Sequence, residues 1–308
     1  MKNQESRNVY QMVTDRVIEQ MQQGIIPWHQ PWTGACLLEG GAINYVSRKP
    51  YSLLNQFLLG RDGEWLTFKQ IQERKGRIKR GVKAHFVVFY QMNVKQETVK
   101  VKNEQGEIEE RIKEKSVPVL RYYNVFHIDE CEGIESKMQQ VEQQPENKLH
   151  PIERAEQVIN SYVERENLKF NNQSISGDAY YSPMRDEVVV PKLSQYQIAE
   201  EYYSTTFHEL THSTMKEGRC NRRQDGSIAA FGGEDYSREE LVAELGSAML
   251  CKQVGIDCEK AFKNSVAYIQ SWMKALKNDN KAIVWAAARA EKAAKYIMGG
   301  TIRLSHCK

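Results

Sequence analysis

The chain has 308 residues, 41% hydrophobic and 27% charged, with a formal net charge of +3. That length suggests about two domains at ~150 residues each. No apolar run approaches the ~20 residues of a membrane-spanning helix. The six cysteines (Cys36, Cys131, Cys220, Cys251, Cys258, Cys307) form no C-x-x-C pair, which argues against a disulfide framework or a cysteine zinc site. The N-terminus, MKNQESRNVYQMV, has no apolar segment of the secretory kind, so the expected compartment is the reducing cytoplasm. Charge is unevenly spread. Residues 41–91 carry ten Lys/Arg against three Asp/Glu, whereas residues 136–308 carry 23 of each sign. The first stretch suits a polyanion.

In chain order, residues 7–23 place Val9, Met12, Val13, Val17 and Met21 at helical spacing, with Gly24 as a natural stop. The Pro/Trp loop IIPWHQPW cannot continue that helix. Thr67-Phe68-Lys69-Gln70 is a capping-box pattern that opens a short helix ending before Gly76. AHFVVFYQM and VPVLRYYNVFHI read as strands. Between them, residues 94–117 are dense in both charges and suggest an exposed hairpin. Residues 135–150 are polar and Gln-rich, the composition of a linker. A second domain then begins with a helix over 151–166. Residues 179–191 make a turn followed by a strand, and Ser194 is expected to cap a long helix reaching Lys216. Another helix is expected from near Ser237, and two more over 259–277 and 279–298.

The chemistry sits in TTFHELTHST (205–214), which contains H-E-x-x-H. At about 100° per residue, His208 and His212 share one helix face and can hold one Zn²⁺, with Glu209 beside them to take a proton from metal-bound water. A catalytic zinc needs a third protein ligand and an open position. The helix YSREELVAEL (236–245) offers Glu240 and, one turn on, Glu244. If Glu240 is the ligand, Glu244 can orient a zinc-bound imidazole. Ser237-x-x-Glu240 is also a capping box, and that arrangement would make Glu244 the ligand. Glu239 is a third choice. Strand 186–190 either edges the cleft, where a peptide could add to it, or is a core strand. Tyr236 either polarises a substrate carbonyl or packs at the helix start.

Upstream, between residues 28 and 90, aromatic residues that include Trp28, Trp32, Tyr51 and Trp65 share the stretch with Arg74, Lys75, Arg77, Lys79, Arg80 and Lys83. Single-stranded nucleic acid is held by this combination, cations on phosphates and rings on bases. The competing reading is a set of core rings with a solvated cationic face.

The segments PWHQPW, NYVSRKPYSLLN, EWLTFKQIQERKGRIKRGVKAHFVVFY and RYYNVFHIDECEG, followed by GDAYYSPMRDEVVVP, YYSTTFHELTHST, RCNRR and YSREELVAELGSAMLC, resemble the ArdC-type antirestriction proteins of conjugative plasmids and related mobile elements. The resemblance runs from about residue 7 to 298. It implies an α+β chain, with a small mixed single-stranded-DNA-binding domain over 1–134, a linker over 135–150 and a zincin-like, gluzincin-type metallopeptidase domain over 151–308. It also implies Zn²⁺ at His208, His212 and Glu240, catalysis by Glu209, and protection of incoming DNA from host restriction. Two features depart from the family pattern: the charged insertion near 94–117, and Ser213 where a Trp is expected. Two other readings compete. One is a zinc protease, acting on a host or element protein, that its first domain localises to DNA. The other is a binding protein with structural zinc.

Overall fold

A computed structural model describes residues 8–28, 41–102, 108–138, 151–173, 177–222, 234–257 and 266–299. The fold is α+β in two parts. The first part begins with helix α1 (Val9–Gln22), whose N-cap Asn8 accepts a hydrogen bond from the Tyr10 N–H. A four-stranded sheet follows, in the order β1 (Ala42–Asn44), β2 (Gly63–Thr67), β5 (Ile108–His127), β4 (His85–Lys102). Helix α2 (Leu53–Leu59) lies between β1 and β2 in sequence, and α3 (Phe68–Glu73) follows β2. The capping box at Thr67 forms as its sequence requires, because Thr67 accepts from the Gln70 N–H while the Gln70 side chain accepts from the Thr67 N–H. Short strands β3 (Arg77–Ile78) and β6 (Cys131–Glu132) pair with each other.

Strands β4 and β5 pair antiparallel throughout, from His85 opposite Val125 to Lys102 opposite Ile108. The charged insertion is therefore the outer part of one long hairpin. The buried amide of Asn55, on α2, bonds both the N–H and the C=O of Val88, so the pair Val88–Tyr122 turns its backbone groups away from the partner strand. Four pairs further out, Met92–Pro118 has the same orientation, so the N–H that proline lacks is no part of the ladder.

The second part opens with α4 (Pro151–Glu166) and a three-stranded sheet in the order β7 (Lys169–Asn171), β9 (Glu187–Val189), β8 (Tyr180–Ser182). Strand β9 is central and Val188 to Val190 are buried, so it is not the edge strand one reading required. The edge is β8. Helix α5 (Ala199–Ser213) starts later than Ser194. Residues 193–195 instead form a separate 3₁₀ turn, closed by Gln195 accepting from the Lys192 N–H. Helices α6 (Glu234–Val254), α7 (Val266–Asn278) and α8 (Ala282–Ile297) complete the domain.

One hydrophobic core runs through both parts. It joins Val13, Val17, Trp28, Leu54 and Val88 to Tyr203, Phe207, Leu245, Leu276, Ile283 and Ala287. Polar links cross the same boundary: Thr14 donates to the Asn280 carbonyl, and the Leu53 N–H donates to Glu291. Residues 139–150 of the expected linker lie outside the described residues.

Candidate metal centre and nucleic-acid interface

Helix α5 is buried on most of its surface, with Tyr203, Phe207 and Leu210 in the core and Thr211 turned to α6. The two helices touch closely because α6 carries Gly246 and Ser247 there. A Cβ at Gly246 would lie 2.6 Å from the Thr211 side chain, and the Ser247 hydroxyl donates to the Ser204 carbonyl. That contact brings the acidic turn of α6 over the histidines.

His208 Nε2 and His212 Nε2 are 3.1 Å apart. Each stands 3.4 Å from a carboxylate oxygen of Glu240. A tetrahedral ion with ligands at ~2.0–2.2 Å separates its donors by about 3.3–3.5 Å, so the triangle fits such an ion. Among the described residues these three make up the one group of this kind. The Glu240 side chain is 26% exposed, which leaves the group accessible from one side.

Behind each imidazole stands a further carboxylate. Glu244 lies 3.9 Å from His208 Nδ1, and Glu239 lies 3.6 Å from His212 Nδ1. Carboxylates so placed fix ring orientation and raise ligand basicity. Arg222 in turn donates two hydrogen bonds to Glu239 and one to the Thr211 carbonyl. Helix α6 begins at Glu234, so Glu240 lies in the second turn rather than at the third position after a cap at Ser237. The capping-box alternative thus loses its basis, and the Nε2 side of both rings belongs to Glu240. The Tyr236 side chain lies outside the described residues.

The electrostatics follow from these contacts. Burial works against charge on His208, but hydrogen bonding to Glu240 outweighs it and the pKa is raised. His212 is likewise pushed up to about 10, with the bonds to Glu239 and Glu240 overcoming burial. Both carboxylates shift the other way: burial would raise them, and their histidine and arginine partners hold them below the usual range. A divalent ion must displace protons from this cluster, so its uptake releases them. Glu209 is buried beside the pair.

Ser213, in place of the expected Trp, is fully buried. Its hydroxyl donates to the Leu210 carbonyl and bonds the Tyr162 hydroxyl at 2.8 Å, which ties α5 to α4. Arg219, from the same RCNRR segment as Arg222, bonds Asp186 through two nitrogens and Glu166 through a third. It locks sheet, α4 and α5 together. The sequence reading assigned Arg219 and Arg222 no role. Two arginines after an H-E-x-x-H helix were the available signal.

The aromatic expectations divide. Trp28 is 3% exposed and packs edge-on against Trp272 of α7. Trp65 is fully buried between His85 and His127. Neither ring can stack on a base, because the core has taken both. Tyr51 is half-buried against the cluster of Leu59, Trp65 and Val87, and Trp32 lies outside the described residues. Arg74 lies over the Tyr45 ring, whereas Lys75, Arg77, Lys79, Arg80 and Lys83 are exposed. The exposed rings are others: Phe68, Tyr90, Tyr122 and Tyr123. Tyr123 stacks on Phe89 with centroids 4.6 Å apart and planes 4° from parallel.

A histidine pair on one helix, facing a carboxylate on the next beside a small sheet, defines a zincin-like metallopeptidase domain, here sharing a core with a second, sheet-based domain. Residues 156–289 match the zincin-like metallopeptidase family, and residues 7–126 match the N-terminal domain of anti-restriction factor ArdC. The chain belongs to the ArdC-type antirestriction family. Two crystal structures of antirestriction ArdC protein from plasmid R388 cover 97% of this chain and 100% of their own. The metal-free form has a TM-score of 0.65 at 27% identity, and the Mn(II)-bound form 0.66 at 26%. The zincin-like domain and the Mn(II)-bound neighbour indicate a divalent metal. Two DNA primases TraC of Escherichia coli are 28% and 29% identical over 94% of this chain, which spans only 20% and 27% of their lengths. An uncharacterized protein, y4eC, of Sinorhizobium fredii is 28% identical, with 91% of its length covered. No helix among the described residues is long and apolar enough to cross a membrane.

Proposed function

We propose that the protein binds single-stranded DNA without sequence preference through its first domain, holds Zn²⁺ at His208, His212 and Glu240, and protects incoming DNA of a mobile element from host restriction. The observation that carries the DNA reading is the exposed Tyr123 ring, stacked on the half-buried Phe89, on the domain whose α3–β4 connection presents five exposed cations, Lys75 to Lys83. Rings and cations together fit an unpaired strand, whose bases are free to stack. Titration of full-length protein with a labelled oligo-dT strand and with a duplex, at several salt concentrations, tests it. Tighter binding to the single strand and a steep loss with salt are expected. Equal affinity for duplex, or no salt dependence, sinks the reading.

When bound, zinc supplies Lewis acidity and a water of lowered pKa. The chain supplies the rest. Glu239 and Glu244 orient the two rings, and the Glu209 carboxylate, buried beside them, accepts a proton. That retained constellation favours a second reading: a zinc-dependent protease whose first domain localises it to DNA. A peptide would then pair with the edge strand β8. Glu209→Gln separates the readings. Protection that survives the substitution assigns it to DNA binding, and protection lost together with cleavage of a host or element protein assigns it to proteolysis.

A further inference from the structure

We infer that a strip across the boundary of the two domains, made of Lys281, Trp285 and Arg289 on one side and Tyr10 and Tyr90 on the other, holds phosphates and a base of a single DNA strand. The inference rests on the single-strand reading above. It carries the strand onto the zincin-like domain, which that reading leaves out of contact.

Helix α8 puts an alanine-rich face into the core, with Ala286, Ala287, Ala290 and Ala294 buried. Lys281 caps that helix, and its carbonyl accepts from the Trp285 N–H, so the helical spacing begins there. Residues 281, 285 and 289 then follow one turn apart on the face away from the alanines. Lys281 is exposed, and Trp285 and Arg289 are half-buried. The Arg289 guanidinium lies 3.7 Å from the centre of the Trp285 ring. Lys281 Nζ lies 5.7 Å from the centre of the Tyr10 ring, and the Tyr10 hydroxyl stands 3.5 Å from that of Tyr90. Tyr90 itself is 48% exposed. About 12 Å of helix axis separates the two cations. Two rings from the first domain thus meet a ring and two cations from the second.

These cations differ from their neighbours in what they pair with. Arg219 meets Asp186 and Glu166, Arg222 meets Glu239, and Arg238 meets Asp279. Among the described residues, neither Arg289 nor the Lys281 ammonium meets a carboxylate; Arg289 donates to the Trp285 carbonyl one turn back. Burial and the charges of Arg222 and Arg238 hold the Arg289 pKa below its ordinary range, against Glu239 and Tyr90. A partly desolvated guanidinium pressed by like charges gains from an anion that a ligand brings. The Trp285 ring covers one face of it and leaves its edge donors for phosphate. The rings select the ligand. Tyr90 offers a surface to a base while Lys281 and Arg289 offer charge to the backbone, the combination a single strand uses. Tyr90 lies on the opposite face of the hairpin from Phe89 and Tyr123, but β4 is the edge strand. One strand of DNA can therefore pass around that edge from Tyr123 to Tyr90. A peptide carboxylate would satisfy Arg289 and leave Lys281, Tyr10 and Tyr90 without use.

The test uses the full chain with labelled dT20 over a range of salt. The double variant Lys281→Gln/Arg289→Gln is expected to weaken dT20 about tenfold and to lower the log–log salt slope by about 1.4, the share of two phosphate contacts on a single strand. Tyr90→Ala is expected to weaken dT20 about fivefold or more and to leave the slope unchanged. Arg289→Lys, which keeps the charge, retains the slope. Lys169→Gln/Lys192→Gln, an equal loss of charge beside the small sheet, leaves affinity and slope at the wild-type values. Melting curves check that each variant folds, and Lys281→Gln and Tyr90→Ala, both at exposed sites, are also read singly. The inference is overturned by an unchanged slope in the folded Lys281/Arg289 variants, or by an equal drop in the Lys169/Lys192 variant. Loss of casein cleavage at full dT20 affinity overturns it too, and gives the strip to a peptide. Wild-type protein that does not bind dT20 overturns the single-strand reading itself, and this inference with it.

Discussion

Arg222 grips the Glu239 carboxylate through two hydrogen bonds, of 2.6 and 3.1 Å, and that carboxylate stands 3.6 Å from His212 Nδ1. The guanidinium is almost fully buried, so the pair forms a rigid backing for one member of the candidate metal centre. Removing such a partner typically costs 10–100-fold in metal affinity. Arg222→Gln is therefore expected to weaken Mn²⁺ or Zn²⁺ binding by about that factor. Calorimetric titration of the folded variant measures it, and an unaltered affinity would reduce the pair to scaffolding.

Gly246 decides how closely α5 and α6 approach. An added methyl would meet the Thr211 side chain at 2.6 Å from its Cγ2 and 2.7 Å from its Oγ1. Gly246→Ala should cost ~1–3 kcal/mol by overpacking. It should also loosen the metal site, since the same crossing aligns Glu240 with His208 and His212. Melting temperature and metal affinity are expected to fall together.

Arg219 links Asp186 and Glu166, and its own side chain is 3% exposed. Burial would raise both carboxylates. Bonds from Lys216, Arg219 and Tyr181 hold Asp186 below its ordinary pKa, and bonds from Arg165, Tyr296 and Arg219 hold Glu166 below its own. Folded values below unfolded ones mean stabilisation that is fully present above about pH 4–5 and lost as pH falls through the lowered values. Thermal melts from pH 7 down to pH 3 should show that loss. Arg219→Gln, which leaves two carboxylates without their buried partner, is expected to cost ~3–5 kcal/mol at pH 7 and to flatten the acid limb. An acid limb as steep as that of the wild type would remove Arg219 from the explanation.

Trp65 and Tyr123 should separate stability from DNA affinity. Trp65→Ala opens a cavity in a fully buried site and should destabilise by ~3–5 kcal/mol. Tyr123→Ala, at a residue 55% exposed, should leave the melting temperature unchanged and remove ~1–3 kcal/mol of single-strand affinity. The reverse pattern, measured by melts and oligo-dT titration, would move the interface elsewhere.

Much of the local structure was legible in the sequence because its causes are local. The Thr67 capping box, the helix over 9–22 and the shared face of His208 and His212 follow from a helical period that a few consecutive residues define. The same holds for the α+β class and for the hairpin at 94–117, where patterning and turn residues act within short reach.

What the sequence could not decide depends on contacts between distant segments. Spacing alone leaves Glu240 and Glu244 on one face of α6. Only the crossing at Gly246 and Thr211 turns Glu240 to the Nε2 side of both rings, with Glu244 and Glu239 behind them. Two tryptophans that looked ready for bases are core, because residues far along the chain, Trp272 for one, close over them. Periodicity is a property of the chain, so the sequence determined where helices and strands form and that a histidine pair would share a face. Burial and facing are properties of the packed molecule, so only the tertiary structure decided which carboxylate faces both imidazoles and which rings stay exposed.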